Sequence, residues 1–259
     1  MIDICRHVIN DASAWTSASL GGKEAITRRL VQTELDAVDE LLSKTSHLHP
    51  QAVSASQFTH IGLRSLIEEL REVIMYGRSV MLVAGLSPDR YSPEELERIY
   101  WGIGLHLGVP AVQSRTGDRL GRVEQDDLDP VSRGYRSSSE LHMHTDSYEI
   151  IGLMCIRKGA VGGQSALVSS VAIHNEIVKH HPEYLESLYE GFHMAIPEAR
   201  LTDQPITHER IPVFCYVDRK LSCLYTGRFM HDAAEKLNKP LPGLLKDALD
   251  FIAKTAERD

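Results

Sequence analysis

The sequence predicts an α+β protein in which helices pack against a β core, and three observations carry that reading. Apolar residues recur at three- and four-residue spacing through AITRRLVQTELDAVDELL (25–42) and IGLRSLIEELREVIMYG (61–77), the spacing of helices with one buried face. Short apolar or alternating runs bounded by turn residues fill 148–157, 164–170, 211–217 and 221–226, the pattern of strands. The 259 residues are 42% hydrophobic and 25% charged, enough for a sizeable core and unlike a disordered or fibrous chain.

In chain order, the two amphipathic helices are separated from a third by SVMLVAGL (79–86), an apolar run between Gly77 and Ser87-Pro88 that predicts a buried strand. The third helix opens at Ser92, a capping residue, with Pro93 in the first turn and Glu94, Glu95 and Glu97 near the positive end of its dipole. Gly108 and Pro110 close it. Residues 111–139 are rich in Gly, Asp, Ser and Arg and read as a long loop, ordered or mobile, of a length that is usually functional or disordered. Helical patterns return at about 171–190 and 229–257. No repeat interrupts the chain, which reads as one domain over 1–259 with a helical part at about 1–78 packed on the β core.

Charge and composition exclude several function classes. An excess of 36 acidic over 28 basic residues leaves a net charge of −8, which repels phosphate backbones, so nucleic acid is not an expected partner. MIDICRHVINDASAW lacks the apolar core of an export signal, and runs such as IIGLMCI fall far short of a bilayer span. Cys5, Cys155, Cys215 and Cys223 form no CxxC pair and read as reduced, mostly buried thiols of a cytoplasmic protein, Cys155 as part of the core. No phosphate-binding loop, dinucleotide fingerprint or serine-hydrolase elbow is present.

Chemistry enters at His144-Thr145-Asp146, because H-x-D on an extended segment sends both side chains to one face, where an imidazole and a carboxylate can meet one metal. Composition alone predicts about 0.8 such tripeptides, so the setting has to carry the argument. That setting is a polar loop before the motif, the strand-like YEIIGLMCIR after it, and then the Gly162-Gly163 turn leading into QSALVSS. His174-x-Glu176 and His181-x-Glu183 fall in helical patterns, where such pairs diverge. His142 shares the face of His144 and could serve a cupin-like site, but reads as a packed or solvent-facing residue; His193, His208 and the His180-His181 pair have no partner at ligand spacing.

The stretch RGYRSSSELHMHTDSYEIIGLMCIRKGAVGGQSALVSS (133–170) resembles the core of the TauD/TfdA superfamily of non-haem iron, 2-oxoglutarate-dependent dioxygenases, and the likeness extends over roughly 75–259. The resemblance implies a double-stranded β-helix (jelly roll) core with flanking helices, and Fe(II) and 2-oxoglutarate as cofactors. It implies O2 and a small molecule as substrates, and a homo-oligomer is compatible with it. It makes His144 and Asp146 two members of a 2-His-1-carboxylate triad. Gly162-Gly163-Gln164-Ser165 matches a Gly-Gly-x-Thr turn, so Ser165 would bind a 2-oxoglutarate carboxylate. Gln113 and Glu140 are placed at the border of the substrate pocket, although both also suit a solvated surface. The late histidine and the carboxylate-clamping arginine of the family have no match; His231, in the helical RFMHDAAEKL, lacks the turn that precedes that ligand. Judged by the family pattern, the sequence lacks the final strands, and is either truncated or an incomplete member acting as a binding or scaffold protein.

Overall fold

The computed structural model describes residues 3–113, 117–123, 141–159, 161–196 and 204–258. Two one-turn helices, α1 (Ser17–Leu20) and α2 (Gly22–Ala25), lead into strand β1 (Thr27–Arg29). Helices α3 (Gln32–Thr45), α4 (Arg64–Met75) and α5 (Pro93–Gly104) follow, with strand β2 (Leu82–Ala84) between the last two. The C-terminal part holds α6 (Ser170–His180), α7 (Leu185–Glu190), the hairpin β3 (Phe214–Val217) and β4 (Lys220–Cys223), then α8 (Gly227–Lys236) and α9 (Gly243–Ala256).

Helix α5 forms as its sequence predicts. Ser92 Oγ accepts from the Glu95 N–H at 3.3 Å, and a Glu95 carboxylate oxygen accepts from the Ser92 N–H at 2.8 Å. The helix expected over 25–42 starts later, at Gln32, because Thr27, Arg28 and Arg29 pair in parallel with Leu82, Val83 and Ala84. Arg28 then reaches the nearly buried Glu34 with two nitrogens, at 2.6 and 2.5 Å, while Glu34 also accepts from the Val31 N–H at 2.9 Å. One carboxylate thus ends the strand pairing and starts the helix.

Two apolar cores organise the molecule. The first gathers Val38, Leu41, Phe58, Leu66, Ile99 and Trp101 from α3, α4, α5 and the turn between. The second gathers Ile177, Leu188, Tyr189, Phe192, Phe214, Met230 and Ile252, and it also takes Cys5 and Ile9 from the N-terminal segment. That segment is held there by Asn175, which accepts from the Ile9 N–H and donates to the Ile9 carbonyl, both at 2.8 Å. Residues 3–9 therefore belong to the C-terminal core, not to the N-terminal helices with which they are contiguous.

The strands expected at 148–157 and 164–170 have no ladder partner among the described residues. Their alternation is nevertheless present: Met154 and Ile156 pack against the first core, while Ile151, Leu153 and Cys155 are exposed. Among the described residues, alternating apolarity here buries one side of the segment without a paired strand. Cys155, expected in the core, sits on the exposed side of this alternation, its thiol donating to the Arg157 carbonyl at 3.5 Å. Cys5 is buried, and Cys215 and Cys223 are half-buried; all four cysteines are free. No helix among the described residues is long and apolar enough to cross a membrane.

Candidate metal centre

His144 and Asp146 lie on a segment, outside any helix or strand, that runs from one core to the other. Met143 packs against the second core, whereas Met154 and Ile156 pack against the first. Met143 and Thr145 are half-buried; His142, His144 and Asp146 are exposed. The period of two that the sequence assigned to a strand is present in the burial pattern, although among the described residues no strand ladder includes these positions.

The anchoring is by backbone. The Thr145 N–H donates to the Tyr225 carbonyl at 2.8 Å, and the Tyr225 N–H donates to Thr145 Oγ1 at 2.8 Å. With Thr145 turned inward, its two neighbours project outward together, and His144 Nε2 stands 4.0 Å from Asp146 Oδ1. His144 Nδ1 lies 2.7 Å from the His142 carbonyl. A carbonyl only accepts, so Nδ1 carries the proton in this bond and Nε2 is the ring nitrogen turned toward Asp146.

The side chains are 42% and 53% exposed, so this pair lies at the surface of the described structure. Two surface clefts, one lined by His231, Lys239 and Lys246 and the other by Asp39, Arg90 and Tyr91, contain neither residue. No group of three or more metal-binding side chains occurs among the described residues.

The other expected site residues are placed as follows. Tyr148, two positions past Asp146, donates to the Val112 carbonyl at 2.8 Å, which brings the strand-like flank of the motif beside Gln113. Gln113 itself donates its backbone N–H to the Asp118 carbonyl at 2.6 Å. Gly162 and Gly163 both adopt positive φ, at 73° and 71°, a turn that glycine makes without strain. Ser165, just beyond, is exposed, and no hydrogen bond joins it to His144 or Asp146. Glu140 lies outside the described residues. His142 contributes its carbonyl rather than its ring, a role that a search for ligand side chains does not consider.

A model of the taurine catabolism dioxygenase TauD, TfdA family matches residues 44–259. The chain belongs to the TauD/TfdA family. Among curated relatives, the taurine hydroxylase-like protein SAT17 of Stachybotrys chartarum is 27% identical over 268 aligned residues, covering 96% of this chain and 68% of that protein. FR-33289 synthase of Streptomyces rubellomurinus is 24% identical over 267, covering 98% of this chain and 73% of that protein. The family and the names of these relatives support an oxygenase enzyme.

Proposed function

We propose that the chain is a non-haem iron, 2-oxoglutarate-dependent dioxygenase that hydroxylates a small molecule while 2-oxoglutarate is converted to succinate and carbon dioxide. The observation that carries this reading is the facing of His144 Nε2 and Asp146 Oδ1 across 4.0 Å. Two cis donors with metal bonds of about 2.1 Å lie about 3 Å apart, so a side-chain shift of about 1 Å from the observed 4.0 Å would bring both onto one ion. A neutral imidazole oriented through its other nitrogen, beside a carboxylate, is the donor chemistry that suits Fe(II).

In this reading the chain supplies orientation and the iron supplies oxygen activation coupled to oxidative decarboxylation of 2-oxoglutarate. His144 offers Nε2 because the His142 carbonyl holds the proton on Nδ1. Asp146 offers a carboxylate oxygen from the same exposed side. Ser165, after the Gly162-Gly163 turn, is assigned a carboxylate of 2-oxoglutarate, and the segment at Gln113 is assigned to the edge of the substrate pocket. The jelly-roll core and a single oxygenase domain over 1–259 belong to the same proposal, supported by the family. Four free cysteines suit a reducing compartment such as the cytoplasm.

The test is succinate release from 2-oxoglutarate with Fe(II), comparing the unmodified chain with His144→Ala and Asp146→Ala. The proposal expects both variants to lose at least about a hundredfold in rate, as removal of a metal ligand exceeds the 10–100-fold typical of outer-shell loss. Equal turnover in all three overturns it, and leaves the binding-protein reading in its place.

A further inference from the structure

We infer that Thr145 is a positioning residue for the metal pair, acting through the backbone of Tyr225; this rests on the reading of His144 and Asp146 as ligands. The contact is reciprocal. Thr145 uses its N–H as donor and its hydroxyl oxygen as acceptor, each at 2.8 Å, and its hydroxyl lies 3.5 Å from the same Tyr225 carbonyl. Thr145 and Tyr225 are 80 positions apart, so this is a tertiary clamp and not a local turn.

The far side of the clamp is firmly rooted. Leu224 donates its N–H to the Val213 carbonyl at 2.9 Å, Tyr225 Oη lies 3.4 Å from the Leu249 carbonyl as its donor, and both side chains pack against the second core. On the near side, among the described residues, no ladder includes residues 142–146, and Met143 is the other half-buried side chain of that stretch. In an ordinary strand, neighbouring rungs fix the direction of every side chain. Here one residue substitutes for a ladder, and it sits between the two donors, so any rotation at Thr145 moves both together. Serine or threonine fits this position because a small side-chain oxygen must reach the Tyr225 N–H.

The experiment uses the full chain and Co(II) alone, a divalent ion whose visible spectrum reports ligand geometry. Thr145→Val keeps the shape and removes the acceptor; Thr145→Ser restores it. The clamp predicts that Thr145→Val weakens Co(II) binding by about tenfold or more and alters its visible spectrum, while Thr145→Ser stays within about twofold of the unmodified chain. It also predicts, with no substitution at all, that Co(II) slows hydrogen exchange at the Tyr225 amide, which decides the matter if Thr145→Val fails to fold. Unchanged Co(II) affinity in a folded Thr145→Val, or unchanged exchange at Tyr225, overturns the clamp. Co(II) binding that is equally tight in His144→Ala overturns the ligand reading itself and the clamp with it.

Discussion

The Tyr189 hydroxyl meets His174 Nε2 at 3.1 Å inside the C-terminal core, where neither side chain has more than 1% exposure. His174 Nδ1 has no hydrogen-bond partner among the described residues. Burial, and after it the nearby His7, pushes the imidazole down to about 4 from its ordinary 6.5.

Because the folded value lies below the unfolded one, the unfolded chain binds the extra proton first as pH falls. Stability is therefore intact above about pH 6.5 and is lost progressively between 6.5 and about 4. The shift corresponds to as much as about 3 kcal/mol across that window. Urea midpoints measured at pH 7.5 and pH 4.5 check this: the drop should be smaller in His174→Gln than in the unmodified chain. An equal drop in both would remove His174 from the account.

The ion pair that joins β1 to α3 supplies a second pH-dependent contribution. Burial pushes the Glu34 carboxyl up, but the bonds from Arg28 and from the Val31 N–H outweigh it and hold it below the usual 4.5. A depressed carboxylate contributes stability above about pH 4.5 and loses it as pH falls further. Glu34→Ala leaves Arg28, itself only 18% exposed, without its main partner and should cost about 3 kcal/mol at pH 7 by thermal or urea unfolding.

Two glycines of α5 should respond oppositely to the same substitution. A Cβ at Gly102 would lie 2.2 Å from the ring of the buried Phe58, so Gly102→Ala should destabilise by about 1–3 kcal/mol. At Gly104 nothing lies within 4 Å, and Gly104→Ala should be neutral or stabilising by up to about 1 kcal/mol. Melting temperatures of the two variants check the pair directly.

The β3–β4 hairpin turns on Asp218 and Arg219, both at positive φ, 49° and 63°. That is the signature of a turn in which glycine is favoured at the second position. Arg219→Gly should raise stability by about 0.5–1 kcal/mol, read as a higher melting temperature.

Much of the fold was legible where one residue dictates local structure. Ser92, Pro93 and Glu95 announce α5, and the runs 211–217 and 221–226 announce two strands, which the structure pairs as β3 and β4. Legibility failed where tertiary pairing decided the outcome. Thr27–Arg29 read as helix by periodicity and became a strand because Leu82–Ala84 lies beside it. Residues 148–157 have the alternation of a strand, yet alternation reports which side is buried and says nothing of whether a partner strand is present. At the site, the H-x-D spacing foretold that His144 and Asp146 share a side. It could not foretell the His142 carbonyl that orients the ring or the Tyr225 backbone that holds Thr145, since backbone groups are common to every residue type.

Anaerobic equilibrium dialysis against Fe(II) tests the central claim most directly, with the unmodified chain, His144→Ala and Asp146→Ala compared side by side. The account predicts that the unmodified chain retains about one iron per chain and that each variant retains far less, with folding intact in all three. Iron retained equally by both variants would contradict it.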